Sequence, residues 1–204
     1  MVSFDDIQSL LDNHRPVLIP RDARTHAAVA LILRAAPAGP EVLFIERAKH
    51  DGDPWSGDLG FPGGKVEESD GEERRAAERE TLEEIGLDLG GARCLGRLSD
   101  IAGAHFPVRV SCFVFALAGP AATIFRLSDE VKSLFWVPLA MLLNTERHLT
   151  APVHFSGRIL ASPAIRILET GNTPLWGITY RLVMQFLKIL GFPELPKPSS
   201  PAPH

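Results

Sequence analysis

A stretch rich in glycine and proline, residues 49–65, most constrains the fold of this chain. Its five glycines and two prolines interrupt both helices and strands. Before it, two short apolar runs at residues 27–33 and 41–45 are joined by a turn that contains proline and glycine, which predicts a β-hairpin. After it, residues 72–85 are predicted to form a helix, with Gly86 just past its end. Strands before the breaker stretch and a helix after it predict a mixed α/β domain.

Segments outside this region extend the mixed pattern. Residues 3–13 have apolar side chains at helical spacing, and Ser3 is a suitable N-cap. Residues 175–190 are strongly apolar and are predicted to form a helix, with Pro174 where a first helical turn tolerates it. Further strands are predicted at residues 92–99, 108–116 and 132–137.

The composition excludes several classes of protein. Of the 204 residues, 21 are Lys or Arg and 25 are Asp or Glu, so the formal net charge is −4. A general nucleic-acid binder carries a basic excess, so no nucleic-acid partner is expected. The sequence has no run of about 18 apolar residues, so no membrane span is expected. Asp5 and Asp6 stand where a secretory signal would be basic and then apolar, which predicts a cytoplasmic protein.

The two cysteines and the C-terminus carry no chemical motif. Cys94 and Cys112 lack the spacing of a zinc site or a disulfide framework, so both are predicted to be reduced packing residues. Residues 193–204 contain five prolines and are predicted to form a disordered or extended tail.

Three carboxylates on the predicted helix 72–85 suggest a cation site. Glu80, Glu83 and Glu84 are three and four positions apart, so they share one side of a helix and repel one another. A hard cation such as Mg²⁺, which prefers oxygen ligands, would offset that repulsion. Arg79 cannot be a ligand, but it can pair with Asp70 and fix the loop against the helix. The alternative is an acidic helix face that is simply solvated.

The stretch GGKVEESD followed by RETLEEIGL resembles the Nudix box. Six of its positions fall in register with that motif: Arg79, Glu80, Glu83, Glu84, Gly86 and Leu87. Thr81 stands where the motif has a bulky apolar residue, and Asp70 stands one residue further from the Arg-Glu pair than the usual Glu. That arrangement, together with FPGG at residues 61–64, is similar to the coenzyme A pyrophosphatases of the family. The segments LFIERA at residues 43–48 and WGIT at 176–179 resemble further motifs of that subgroup.

This resemblance implies a Nudix-type α/β/α sandwich with a mixed sheet and the box as a loop–helix–loop. It divides the chain into an N-terminal helical extension at 1–26, the hydrolase domain at 27–192 and the tail at 193–204. The implied reaction is Mg²⁺-dependent cleavage of a nucleoside diphosphate derivative, with Mn²⁺ as a second suitable ion. Coenzyme A or acyl-CoA is the expected substrate, giving adenosine 3′,5′-bisphosphate and (acyl-)4′-phosphopantetheine. ADP-ribose, a nucleotide sugar, a nucleoside triphosphate and a non-catalytic ligand-sensing role are the alternatives.

The resemblance also implies roles for individual residues. Glu80 and Glu84 would be the main metal ligands, Glu83 a further ligand or a base, and a backbone carbonyl of Gly63 or Gly64 an additional ligand. Arg79 and Asp70 would support the catalytic helix. Glu130, outside the box, is a second candidate base, with an ordinary loop carboxylate as the alternative.

Candidate substrate contacts are spread over several segments. Arg47 and Arg109 could bind the 3′-phosphate of coenzyme A, although a surface salt bridge is an equal expectation for Arg109. Trp55 could stack on a base or anchor the loop on the core. Phe61, in the FPGG segment, is a further candidate, whereas Trp176 is expected to pack in the core. No arginine lies between Ala48 and the box, which departs from the subgroup pattern and keeps the alternative substrates open. A homodimer is also left open.

Overall fold

A mixed eight-stranded sheet forms the centre of the computed structural model, which describes residues 2–49, 56–104, 106–118, 124–155, 157–168 and 173–192. Its strands are β1 (Thr25–Arg34), β2 (Glu41–Arg47), β3 (Leu59–Gly60), β4 (Gly63–Lys65), β5 (Arg93–Arg97), β6 (Ile101–Ala102), β7 (Val108–Ala116) and β8 (Val131–Pro138). The main path runs β3-β2-β1-β7-β5, while β8 pairs with β2, β4 with β1, and β6 with β7. Only the long β1–β7 pairing is parallel among these described strands. The predicted β1–β2 hairpin is confirmed.

A second, antiparallel sheet consists of β9 (His148–Phe155), β10 (Arg158–Ile165) and β11 (Leu175–Trp176). The sequence prediction had no β9–β10 hairpin. Pro152 pairs with Ala161 and Pro163 with Thr150, so each long strand contains a proline. Proline within an apolar run argues against a strand because it cannot donate to the ladder, which explains why the pattern was not recognised.

The helices are α1 (Phe4–Asn13), α2 (Glu73–Ile85), α3 (Leu139–Leu142) and α4 (Gly177–Ile189). The predicted N-cap of α1 is confirmed, since the Ser3 hydroxyl accepts from the Asp6 amide and the Asp6 carboxylate accepts from Ser3. Gly86 ends α2 in the left-handed conformation, also as predicted. The predicted start of the last helix is wrong, because Leu175 and Trp176 pair with β10 and α4 begins only at Gly177.

Helices cover both faces of the large sheet. Helix α2 packs over a cluster that includes Ala28, Ala30 and Phe115. Helices α1 and α4 pack on the opposite face, where Ile7 of α1 is fully buried in the same cluster as α4 residues. The α/β/α sandwich with a mixed sheet is therefore confirmed.

Several smaller predictions are also tested by the described residues. Cys94 and Cys112 are free thiols, as expected. In the part of the chain that the structure describes, no helix is long and apolar enough to cross a membrane. Strand β1 begins at Thr25, two residues before the predicted domain boundary. The predicted tail at 193–204 lies outside the described residues.

Candidate active site

Two glycines of β4 make close contacts, Gly63 with β1 and Gly64 with α2. Gly63 has a φ of +147°, and a Cβ there would lie 2.3 Å from the carbonyl oxygen of Ala28. A Cβ on Gly64 would lie 2.4 Å from the carboxyl carbon of Glu80. No residue with a side chain fits either position without movement, so bare backbone faces the carboxylates of α2.

Glu84 is the most buried of these carboxylates, with only 4% of its side chain exposed. Its Oε2 accepts a hydrogen bond of 2.9 Å from the Gly63 amide, and its Oε1 lies 3.8 Å from Nη1 of Arg47. Burial raises the pKa of Glu84 to about 7, because these two favourable contacts do not compensate for lost hydration and the charges of Glu80 and Glu130 add to the rise. Glu84 is thus a buried acid that lacks sufficient positive charge around it.

Glu80 lies beside it, one turn earlier on α2. Its carboxylate contacts the Gly64 backbone position and accepts a 3.0 Å hydrogen bond from Nη1 of Arg79. Burial nevertheless raises the pKa of Glu80, and nearby Glu83 and Glu130 contribute to the same direction. Glu80 and Glu84 therefore border the same piece of backbone, and both favour a cation next to them.

Arg79 fastens the loop to the helix as predicted. Its Nε and Nη2 donate to the two carboxylate oxygens of Asp70 at 2.9 and 3.1 Å, and Nη2 also donates to the Lys65 carbonyl at 3.0 Å. The hydrogen bonds from Arg79 hold the pKa of Asp70 below its ordinary value despite burial. The remaining donor, Nη1, contacts Glu80 and Glu83.

Glu83 is more exposed than the other two carboxylates. Its side chain is 58% exposed, and Oε2 accepts from Nη1 of Arg79 at 3.0 Å. Among the described residues, no three His, Cys, Asp or Glu side chains form a ready cluster for a metal ion. Glu80 and Glu84 adjoin Gly63 and Gly64, and the more exposed Glu83 is linked to Glu80 through Nη1 of Arg79.

Backbone contacts bring Glu130 to this site from outside α2. The Ser128 amide donates to the Glu84 carbonyl at 2.9 Å, and the Ala48 amide donates to the Glu130 carbonyl at 2.8 Å. The Glu130 side chain is exposed, and its charge raises the pKa of both Glu80 and Glu84. The structure thus places the second candidate base near the carboxylates that the box supplies.

The donor set suits a hard divalent cation. Glu80 and Glu84 offer only oxygen atoms, the kind of ligand that Mg²⁺ and Mn²⁺ accept. Burial disfavours the ionised forms of both carboxyls and so raises their pKa. A positive ion beside them would favour the ionised forms again. Gly64 adds a backbone segment that carries no side chain directly against Glu80.

A cavity of about 520 Å³ borders the other side of Gly63 and Gly64. Apolar side chains of β1, β7 and α4 form much of its wall, and Arg47 also lines it. Phe61 contributes to the wall but is only 5% exposed, since its ring stacks on Phe44 at a centroid distance of 5.1 Å. The predicted contacts Arg47 and Phe61 are therefore both adjacent to the cavity.

The expectations for Arg109 are not met. The side chain is not at the surface, because the residue is 4% exposed. Its guanidinium donates to the Ile19 carbonyl and contacts Nδ1 of His26 at 2.6 Å. Val108 and Val110 line the cavity, whereas Arg109 points to the other face of the sheet because side chains alternate along a strand. Trp55 lies outside the described residues, so its predicted role is not tested.

A hydrogen bond between two residues of the cavity wall could not be predicted from the sequence. The indole Nε1 of Trp176 donates to Oδ1 of Asp58 at 2.8 Å, and both residues line the cavity. Trp176 also packs against the small cluster of the second sheet, in agreement with its expected packing role. Asp58 carries no local signal, since its partner is 118 positions away.

Comparison with known proteins gives consistent matches. A family model described as NUDIX domain matches residues 24–156. An uncharacterized protein of Schizosaccharomyces pombe is 33% identical over 185 residues, which cover 79% of this chain and 55% of that protein. The chain therefore spans little more than half the length of this relative. The mitochondrial coenzyme A diphosphatase NUDT8 of Homo sapiens is 29% identical over 167 residues, which cover 80% of this chain and 69% of that protein.

A solved structure shows the same fold. The crystal structure of a MutT/nudix family protein from Enterococcus faecalis matches with a TM-score of 0.54 at 15% identity, covering 93% of this chain and 75% of that one. This likeness concerns the fold alone, and it agrees with the α/β/α sandwich described above.

Proposed function

This chain belongs to the NUDIX domain family, and on that premise we propose that it is a divalent-metal-dependent pyrophosphohydrolase. The observation that carries the proposal is the placement of Glu80 and Glu84 against the bare backbone of Gly63 and Gly64, beside a cavity. A diphosphate carries dense negative charge, so its hydrolysis requires that this charge be neutralised and that a water molecule be oriented. Buried carboxylates with raised pKa values next to an open cavity are typical of a functional site rather than a structural one.

Glu80 and Glu84, with the backbone carbonyl of Gly64, would hold Mg²⁺, and Mn²⁺ suits the same oxygen set. When bound, the ion neutralises phosphoryl oxygens and lowers the pKa of water. Arg79 keeps α2 and its loop in register through Asp70. Glu130 and Glu83 are the two candidates to accept a proton as water adds to phosphorus and the bridging P–O bond breaks.

For the substrate we propose coenzyme A or acyl-CoA, with adenosine 3′,5′-bisphosphate and (acyl-)4′-phosphopantetheine as products. The similarity to the human coenzyme A diphosphatase and the FPGG segment at 61–64 support this choice. Arg47 is a suitable phosphate contact, since it lines the cavity and its Nη1 lies 3.8 Å from Oε1 of Glu84. Phe61 would contribute to the apolar wall for the uncharged part of the substrate.

A second candidate keeps the reaction and changes the substrate to ADP-ribose, a nucleotide sugar or a nucleoside triphosphate. The observation that favours it is the lack of an arginine between Ala48 and Gly57 in the sequence. Such an arginine belongs to the coenzyme A motif that this chain otherwise resembles.

The test is to incubate the purified protein with coenzyme A, ADP-ribose and a nucleotide panel, each with and without Mg²⁺, and to separate the products by chromatography. Metal-dependent formation of adenosine 3′,5′-bisphosphate from coenzyme A would support the first proposal. Turnover of another panel member alone would support the second. A protein that turns over none of them would contradict both and favour a ligand-sensing role.

A further inference from the structure

One hydrogen bond joins the two sheets at the wall of the cavity. Trp176 ends β11 of the second sheet and directly precedes α4, whereas Asp58 directly precedes β3 of the large sheet. The indole N–H of Trp176 donates to the Asp58 carboxylate at 2.8 Å. Both residues are half-buried and line the cavity. We propose that this Asp58–Trp176 bond is a positioning strut that sets the shape of the cavity wall and thereby the affinity for substrate, an inference that rests on the proposed hydrolase function.

The strut lies next to the segment of α4 that would contact a ligand. Residues 177–182 line the cavity directly after Trp176, and the backbone turns at Gly177 with a φ of +66°. A hydrogen bond to a charged acceptor is stronger and more directional than one between neutral groups. Fixing the indole therefore fixes the direction in which the first turn of α4 leaves the second sheet.

The rest of α4 is held by other contacts. Leu182, Val183 and Phe186 are each 1% exposed in the core on this face of the sheet. Because this packing does not involve Asp58, loss of the strut should leave the fold intact and let only the cavity wall move. This separates a positioning role from a general role in stability.

The strut is linked to the carboxylate site through the backbone of Arg47. The Arg47 amide donates to the Asp58 carbonyl at 3.0 Å, which is a backbone contact that side-chain substitution leaves in place. Arg47 in turn lies 3.8 Å from Glu84. Removing the Asp58 side chain should therefore weaken substrate binding without disturbing the residues proposed to hold the metal.

The test compares Asp58→Ala and Trp176→Phe, which each remove the bond, with Asp58→Asn, which keeps an acceptor oxygen. With the diphosphate that the wild type cleaves, we expect KM to rise about 5- to 20-fold in the first two variants, as loss of one such bond predicts. Their kcat should stay within about threefold, and the Mg²⁺ concentration for half-maximal rate should not change. Asp58→Asn should return KM to within about threefold of the wild type, because amide oxygens accept from N–H groups.

Two further variants make the result specific. The double variant Asp58→Ala/Trp176→Phe should raise KM no more than either single variant, because both remove the same bond. Trp136→Phe is the matched control, since Trp136 packs against Arg34 on β1 and does not line the cavity. An unchanged KM in the two single variants, additive effects in the double variant, or an equal KM rise in Trp136→Phe would each overturn the strut.

A readout without turnover separates this inference from the proposed function. Amide hydrogen exchange of peptides covering residues 175–182 should be faster in Asp58→Ala and Trp176→Phe, and near wild-type in Asp58→Asn and Trp136→Phe. If the wild type cleaves no diphosphate, the proposed function fails. If exchange in these peptides is the same in all variants, the strut fails, whatever the enzyme assay shows.

Discussion

Two groups of charged and polar side chains adjoin α2, and they differ in the hydrogen bonds that their carboxylates accept. The first is the α2 carboxylate site, with Glu80 and Glu84. The second, which we call the sheet network, consists of His26, Arg97, Asp100, Arg109 and Ser111. In the sheet network the Asp100 side chain is 1% exposed, yet its Oδ1 accepts from Arg97 at 2.7 Å and from Ser111 at 2.9 Å, and its Oδ2 accepts from the Ile19 amide at 2.9 Å.

The two carboxylates respond to burial in opposite directions. Burial alone would raise the pKa of Asp100, but the hydrogen bonds from Arg97, Ile19 and Ser111 outweigh it and lower the pKa. At Glu84 burial dominates and the pKa rises to about 7. The Asp100 carboxylate accepts several hydrogen bonds in the fold, whereas Glu84 accepts fewer and has more to gain from a bound cation. These two pKa directions agree with a structural role for the sheet network and a ligand-binding role for the α2 carboxylate site.

The largest expected effect is that of Glu84→Gln. Glutamine keeps an acceptor for the Gly63 amide but removes the charge proposed to hold the metal, so the rate should fall about 1000-fold. The unfolding free energy in EDTA at pH 8 should not decrease, because a poorly compensated buried charge is removed. Steady-state kinetics and urea unfolding measure both. Glu78→Gln, on the same helix and paired with Arg74 at 3.7 Å, is the control and should keep its rate. An active Glu84→Gln protein would contradict the metal-site proposal.

Asp100→Asn should show the reverse pattern. It removes a compensated buried charge and the ion pair of Asp100 with Arg97, so the unfolding free energy should fall by about 2–4 kcal/mol. The kcat of the folded fraction should stay within about twofold, because Asp100 is not part of the α2 carboxylate site. The control is Asp22→Asn, which affects an exposed pair with Arg24 at 3.1 Å and should cost less than about 0.5 kcal/mol. Equal losses of unfolding free energy in Asp100→Asn and Asp22→Asn would contradict a structural role for the buried Asp100 carboxylate.

Stability of the metal-free protein should depend on pH in two opposite ways. A lowered pKa at Asp100 contributes stability above the ordinary carboxyl value of about 3.9, and this contribution is lost as pH falls through the lowered pKa. Glu84 keeps its proton in the folded state up to about pH 7. The folded protein then binds more protons than the unfolded chain, so stability falls, by up to about 3 kcal/mol, as pH rises from about 4.5 to 7.

Urea unfolding in EDTA from pH 2 to 8 tests both signs. The difference in unfolding free energy between the wild type and Glu84→Gln isolates the pH dependence that Glu84 causes. It cancels the contribution of His26, whose pKa is lowered by burial and by Arg109. Asp100→Asn should reduce the loss of stability at acid pH and leave the change between pH 5 and 8 as it is in the wild type. A difference between the wild type and Glu84→Gln that does not vary between pH 5 and 8 would show that Glu84 is fully compensated.

The smallest expected effect is that of Arg79→Lys. Lysine keeps the positive charge but cannot donate to both Asp70 oxygens and to the Lys65 carbonyl in one fixed plane. We expect kcat to fall about tenfold and the unfolding free energy to change by less than about 1 kcal/mol, because the residue positions α2 without binding the metal. Arg75→Lys on the exposed side of the same helix, where the side chain is 70% exposed, should have no effect on kcat. Equal rates in both variants would remove the positioning role of Arg79.

Much of the site could be predicted from local sequence. The spacing of Glu80 and Glu84 puts them on one side of a helix, and Gly86 ends that helix, because both features depend on a few neighbouring residues. The outward position of Glu83 could not be predicted, since it depends on how Arg79 divides its donors among several partners. The position of Arg109 could not be predicted either. Its apolar neighbours indicated a strand, but they did not indicate which face of that strand lies on the cavity and which on the side of α2.

By itself, the sequence determined the β1–β2 hairpin, strand β7, helices α1 and α2 with their caps, and the motif that identifies the family. These are properties of the backbone and of side chains within one or two turns of one another. Only the tertiary structure decided which charges are buried and which partners they have. His26 meets Ser111 across 85 positions and Trp176 meets Asp58 across 118. Whether a carboxylate is compensated depends on such distant partners and on lost hydration, and neither has a local pattern in the chain.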